Sequence, residues 1–420
     1  MELTVGIDFG TSNSAVGLAV NGQPWLVDIE PGAKTLPTAV FFDARGKMRL
    51  GSAANRALIS GDEGRYMRAL KSVLGTPLLR EARMIGPKRQ SLLDVITQFL
   101  SELKTRTEDQ LRQPVTGVVS GRPVRFHSSN DKANAQALID LTEAYTRAGF
   151  KDIDFLPEPE AAALVAQDLA TGEIGLVVDI GGGTSDFTVF RKADGKADVL
   201  ASYGVRLGGT HLDRALSLDH VMPLFGAGTN VRRALADGLL PVPATLFNDL
   251  ASWQKIPFLY TKDTLRLVKD LQRHAVEPDK LARLFEVIEA ELGHDVAFAV
   301  EAGKIAVNTD GQGVIGLGLV EKGLSAALDE AAMSTSLARF KTELTEAATE
   351  TLKLAGVTPD AIGAVVYVGG TSLMSIVPDA IQVVLPNARS IKSEAFTAVV
   401  DGLAIAAGQK QAQKQLAQSA

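Results

Sequence analysis

The sequence predicts an α/β protein built as two similar lobes, and three observations carry that expectation. Its 420 residues, 46% of them hydrophobic, exceed what one compact core organises, so two lobes with separate cores are expected. An apolar run, an aspartate, a glycine turn and a row of hydroxyls occur twice, as LTVGIDFGTSNSAVGLAV from Leu3 and as EIGLVVDIGGGTSDFTVF from Glu173. A duplicated supersecondary unit predicts duplicated lobes. Elsewhere strand-like runs alternate with helix-like ones, the pattern of mostly buried sheets covered by helices.

Taken in order, residues 3–20 read as a hairpin that opens a sheet. TGVVSGRP, from Thr116, reads as a short buried strand. DKANAQALIDLTEAYTRAGF, from Asp131, reads as a helix that ends at Gly149. EPEAAALVAQDLA then carries small residues at helical spacing. After the second hairpin a long helical stretch is expected from about Asp213 to Leu292. A later helix, SLARFKTELTEAATETLKLAG, leads into AIGAVVYVGGTSL, a strand that enters a Gly-Gly turn. The last helix is AFTAVVDGLAIAAGQK, and the polar tail KQAQKQLAQSA is expected to fray.

Composition removes several function classes. The net charge of -6 gives no global attraction to nucleic acid, and the basic stretches GPKRQ and DLQRHAVEPDK are short and read as solvated faces. The absence of cysteine excludes disulfides, thiolate metal sites and cysteine nucleophiles. Five histidines show no paired spacing, so a transition-metal site is not expected. No run approaches the roughly 20 apolar residues of a membrane helix, and the N-terminus lacks the features of a signal peptide. A cytoplasmic protein without membrane contact is expected.

The turns carry the chemistry. Glycine lets backbone N–H groups approach a ligand closely, and consecutive N–H groups form an anion nest suited to phosphates. Gly10, Gly181, Gly182 and Gly183 supply such turns. Asp8 and Asp179 are expected to end their strands facing one gap, where carboxylates hold Mg2+ through its retained waters. Thr11, Ser12, Asn13, Thr184 and Ser185 add hydroxyl and amide contacts. No GxxxxGK[ST] occurs and no GxGxxG opens a helix after a strand, so neither a Walker loop nor a dinucleotide fold is supported. The turn at Gly369 and Gly370 is placed late in the chain, where a third turn can close over a nucleoside.

Five motifs in order carry a family resemblance. GIDFGTSNS resembles the first phosphate loop of the actin-like ATPases, particularly the DnaK-type heat-shock chaperones, and VVDIGGGTSDF resembles their second. LPEPEAAAL resembles their first interlobe connection, RLGGTHLD the segment after the second loop, and VVYVGGTSL their adenosine loop. The length, with VMPLFGAG and FAVEAGKIAVNT, looks closest to the YegD-like branch. The resemblance implies a two-lobed actin-like ATPase fold of duplicated ribonuclease H-like domains with a nucleotide cleft between them. Lobe I would be residues 1–172 with 393–410, its peripheral subdomain about 35–112. Lobe II would be 173–392, its peripheral subdomain about 211–317, and 411–420 a polar tail.

The resemblance also implies ATP/ADP and Mg2+ as ligands and assigns roles. Asp8 and Asp179 would position Mg2+, and Thr11, Ser12 and Thr184 would contact phosphates. Lys71 would orient the γ-phosphate and the attacking water, with Glu158 near that water and Pro159 linked to lobe movement. Gly208, Gly209, Gly369, Gly370 and Thr371 would line the nucleotide, and Glu301 and Lys304 would touch ribose and adenine. The sequence departs from the family in two places. Leu373 stands where an arginine lies along adenine, and Ile305 follows Lys304 where a second basic residue is usual, so weaker base recognition is expected. The chain stops soon after the helix containing Gly402, so no autonomous peptide-binding domain is expected. The implied function is slow ATP hydrolysis with nucleotide-driven lobe closure, read by an unknown protein partner or client. An actin-fold small-molecule kinase and a nucleotide-dependent filament protein are the alternatives. A degenerate, nonhydrolysing module is disfavoured by the joint retention of Asp8, Lys71, Glu158 and Asp179.

Overall fold

The computed structural model describes residues 3–127, 130–165, 169–193, 196–233, 237–253, 255–391 and 397–419. Two compact units form. The first comprises Met1–Gly208, Leu344–Leu373 and Ala380–Ala420, and the second comprises Gly209–Glu343 and Met374–Asp379.

Two sheets of one design organise the first unit. One contains β1 (Leu3–Phe9), β2 (Asn13–Val20), β3 (Gln23–Leu26), β4 (Val115–Arg122) and β5 (Asp152–Pro157), in the order β3-β2-β1-β4-β5. The other contains β6 (Ile174–Ile180), β7 (Ser185–Ala193), β8 (Lys196–Val205), β9 (Ile362–Val368) and β10 (Arg389–Ile391), in the order β8-β7-β6-β9-β10. In each, the first strand pairs antiparallel with its hairpin partner on one side and parallel with a later strand on the other. The repeated order is the duplication that the two sequence units predict, and the α/β class follows from it.

Helices cover these sheets as the apolar periodicity requires. Leu92–Leu111 starts at a capping box, with Ser91 accepting from the Asp94 N–H and the Asp94 side chain reaching back to the Ser91 N–H. It buries Phe99, Leu100 and Leu103, and Asp131–Arg147 buries Leu141, Ala144 and Tyr145 in the same core. Gly149, with φ 92°, ends that second helix where the sequence places its end. Small residues set a second core. Ala161, Ala162 and Ala163 of the helix Glu158–Leu164 pack with Val399, Leu403 and Ala407 of the helix Ala398–Ser419.

The second unit corrects one expectation. The stretch expected to be continuously helical from Asp213 to Leu292 is broken by a π turn at Ser217–Val221, a 3-10 turn at Met222–Phe225 and a hairpin of Asn230–Arg232 with Leu239–Pro241. Pro223 and Gly226, the latter at φ 103°, account for the break. Of the tail expected to fray, residues 411–419 are helical, and Ala420 lies outside the described residues. The last helix runs to Ser419, where Gln411 Oε1 accepts the Thr4 N–H at 3.1 Å, Lys414 lies 2.7 Å from Asp152 and Lys410 pairs with Asp154. Among the described residues no helix is long and apolar enough to cross a membrane.

Candidate functional site

Both glycine turns lie in the first unit, and they meet there. Asp8 is the last residue but one of β1, and Asp179 holds the same place in β6. The second turn is closed by the Gly181 N–H donating to the Thr184 carbonyl at 3.0 Å. The first is tied down from outside by the Thr38 N–H, which donates to the Ser12 carbonyl at 2.8 Å. A Cβ on Gly182 would lie 2.2 Å from Ser12 Oγ and 3.5 Å from Ser12 Cβ, so the two turns touch at this point. Thr11 Cγ2 is likewise within 4.0 Å of a Cβ built on Gly183.

Two further predicted segments join the same place. A Cβ on Gly208 would sit 2.5 Å from the Gly183 nitrogen. A Cβ on Gly369 would sit 2.9 Å from Asp179 Oδ1, and the Thr371 hydroxyl donates to the Gly181 carbonyl at 3.0 Å. Gly10 forms a tight bend, since its Cβ would lie 2.2 Å from the Asn13 carbonyl oxygen. Asn13 and Gly370 are exposed.

The charges converge as well. Lys71 sits in the 3-10 helix Leu70–Val73 and donates to Glu158 Oε1 at the start of its helix, with the two side chains 7% and 14% exposed. Burial draws the Lys71 pKa down, but attraction to Glu158 and Asp8, the hydrogen bond to Glu158, and Asp179 outweigh it and the net shift is upward. The carboxyls are raised as well, which for them favours the neutral form. Burial first, and repulsion by Glu158 second, push Asp8 up to about 7, with Lys71 opposing. Asp179 is raised well above the carboxylate range by burial and by Glu158, Asp186 and Asp8. Asp186 rises to about 8 through burial and Glu158, against Lys71 and a hydrogen bond from the Thr184 side chain.

Asp186 is the site residue that the sequence reading passes over. Its signal was present within VVDIGGGTSDF. The turn between β6 and β7 puts Asp186 directly opposite Asp179 in the antiparallel register, so both carboxyls share one face. Four carboxyls against one ammonium leave this buried group short of positive charge, and a divalent cation fits that deficit. Among the described residues no three histidine, aspartate or glutamate side chains are arranged to hold a metal directly. The donor set suits Mg2+ that keeps its waters.

The base-contacting candidates lie in the second unit. Gly209 opens the helix Gly209–Leu216, and Glu301 and Lys304 lie on Gly293–Asp310. Glu301 is partly exposed, whereas Lys304 is buried in an ion pair 2.6 Å from Asp213. Ile305 is 54% exposed and, in the first unit, Leu373 is 52% exposed.

Comparison with known proteins identifies the family. Chaperone protein DnaK of Thermoplasma acidophilum is 32% identical over 223 residues, 51% of this chain and 35% of that protein. The match therefore spans about a third of that relative's length. A family model described as Hsp70 protein matches residues 4–85 and 79–236, more than half of the chain. With both glycine turns and the paired Lys71 and Glu158 inside the matched stretch, the chain belongs to the Hsp70 family.

Proposed function

We propose that the chain binds Mg-ATP at the two facing turns and hydrolyses it slowly, and that bound nucleotide favours a closed arrangement read by a protein partner. The observation that supports this best is the approach of Gly182 to Ser12 beside the buried Lys71 and Glu158 pair. Two hairpins from different sheets otherwise have no reason to press their glycine turns together. Backbone N–H groups of residues 10–13 and 182–184 bind the phosphates, with Thr11, Ser12 and Thr184 adding hydroxyls. Asp8 and Asp179 would hold Mg2+, which when bound would neutralise charge on the phosphates.

Lys71 holds a γ-phosphate oxygen, and the Glu158 carboxylate accepts a hydrogen bond from the attacking water. The water oxygen bonds to the γ-phosphorus as the bond to the ADP oxygen breaks, giving ADP and inorganic phosphate. Nothing covalent is asked of the protein, so rate depends on positioning and charge, which agrees with slow turnover. The hinge we assign to the helices Glu158–Leu164 and Ala398–Ser419, which pack together through Ala161 to Ala163 and meet at Gly402. Titration calorimetry with ATP, with and without Mg2+, tests the reading. Heat that saturates and depends on Mg2+ is expected, and none at high micromolar ATP overturns it.

A further inference from the structure

The segment that carries Lys71 is irregular, and it is held from outside. Ala69 adopts a left-handed φ of 58°, a conformation that persists for a residue with a Cβ only where its surroundings enforce it. The 3-10 helix Leu70–Val73 follows, Gly75 at φ 74° redirects the chain, and a second 3-10 helix spans Pro77–Arg80. Neither helix has a side-chain cap of its own.

The restraint comes from the helix Asp131–Arg147. Asp140, 1% exposed in its middle, accepts the Gly75 N–H at 3.0 Å through Oδ2. Its Oδ1 accepts Arg80 at 2.7 Å and Gln136 at 2.9 Å. Arg80 also reaches Glu143 at 2.7 Å. From the segment ahead of that helix, His127 Nε2 lies 2.7 Å from the Leu74 carbonyl, and because a carbonyl only accepts, Nε2 carries the hydrogen. His127 is fixed in turn by Asn134, which accepts its N–H at 2.9 Å and donates to its carbonyl at 2.7 Å. The fit is close enough that a Cβ on Gly75 would lie 2.2 Å from the Ala133 carbonyl oxygen.

A carboxylate buried in a helix interior is a poor device for stability, since an apolar side chain of similar volume serves as well. What Asp140 does that an apolar group cannot is take hold of the Gly75 N–H and Arg80 on either side of the turn after Lys71. We infer that Asp140, seconded by His127, is the positioning residue for Lys71, setting the ammonium against Glu158. The inference rests on the reading of Lys71 as the group that acts on the γ-phosphate.

Two measurements on the full chain test it. The first, independent of nucleotide, is the rate at which a water-soluble succinimidyl ester acylates Lys71, read by mass spectrometry against exposed lysines. The second is single-turnover ATP cleavage with the nucleotide Kd. Asp140→Ala is expected to raise Lys71 labelling about tenfold and to lower cleavage about tenfold while Kd moves less than about threefold, as for a group acting through a misplaced catalytic one. Asp140→Asn, which keeps an acceptor for Gly75 but turns an amide NH2 towards Arg80, is expected to fall between the parent and Asp140→Ala in both. If folded Asp140→Ala leaves either readout unchanged, the assignment is overturned. Should Asp140→Ala not fold, His127→Ala decides by the same two readouts, with changes of about two- to fivefold expected and none overturning it. A parent that neither binds nor cleaves ATP sinks the functional reading alone, and the labelling arm then still decides whether Asp140 places Lys71.

Discussion

Lys71 and Glu158 concentrate the chemistry of single residues. A lysine buried in an ion pair among acids keeps its proton, so it offers a fixed positive charge and not a base. Fixed charge acts on a phosphate most strongly when negative charge builds in the transition state. Lys71→Ala is therefore expected to slow ATP cleavage by about a hundredfold or more while nucleotide affinity changes less than about fivefold. Single-turnover assays beside calorimetry measure the split, and a variant that cleaves like the parent removes Lys71 from the mechanism. At the base the expectation reverses. Leu373 and Ile305 are exposed apolar side chains, and a guanidinium on adenine contributes about 0.5 to 2 kcal/mol that Leu373 lacks. ATP should be preferred to GTP by less than about a hundredfold, which is about 2.7 kcal/mol. Competition of the two nucleotides for one bound triphosphate analogue reads this directly, and a larger preference shows that other groups recognise adenine.

At the scale of elements, the helix Leu92–Leu111 depends on one reciprocal cap. Ser91 and Asp94 satisfy each other's backbone donors, and Asp94 also lies 3.1 Å from Arg147 on the neighbouring helix. Burial raises the Asp94 pKa, but the hydrogen bonds from Ser91 and the Arg147 charge outweigh it and the net shift is downward. A depressed carboxyl stabilises the fold above its unfolded pKa, and that contribution is lost as pH falls through the folded value. Ser91→Ala is expected to cost about 1 kcal/mol at neutral pH and less in acid, where the parent's Asp94 is itself protonated. Urea unfolding at the two pH values measures both, and an equal cost at each excludes the Asp94 linkage. Elements with strong local signals were legible in the sequence. The duplicated hairpins, the helix stop at Gly149 and the strand before Gly369 all lie where their residues place them. The small hairpin after Pro223 was not, because short strands of three residues carry no measurable period. Nor was the burial of Lys71, since a lysine in ALKSVLG reads as surface until the helix carrying Glu158 is folded beside it. Asp186 was hidden for a related reason, as its proximity to Asp179 is a property of register and not of spacing.

For the whole molecule, the proposed closure raises the question of what would let one sheet move against the other while the chain stays folded. The stripe of small residues from Ala161 to Ala163 and around Gly402 brings two helices into backbone contact, so little side-chain interdigitation resists a change of angle. Gly402 is the closest point of that contact. A Cβ there would lie 1.9 Å from the Ala161 carbonyl oxygen, which a backbone cannot yield without the helices moving apart. The same helix has Leu403 against Gly6 of β1 and, further on, Gly408 against Ala19 of β2, so the displacement has nowhere to go but into the first sheet. Gly402→Ala is accordingly expected to lose about 1–3 kcal/mol of stability or more, despite alanine's better helix propensity. If the hinge is assigned correctly, the variant also loses part of the response to ligand. In the parent, Mg-ATP at 100 times its Kd stabilises by about 2.7 kcal/mol through mass action alone. Scanning calorimetry of parent and Gly402→Ala with and without Mg-ATP separates the two effects. A variant that is destabilised yet gains the parent's full increment on Mg-ATP places the hinge elsewhere, and one that is as stable as the parent shows that these helices are not in contact where the backbone puts them.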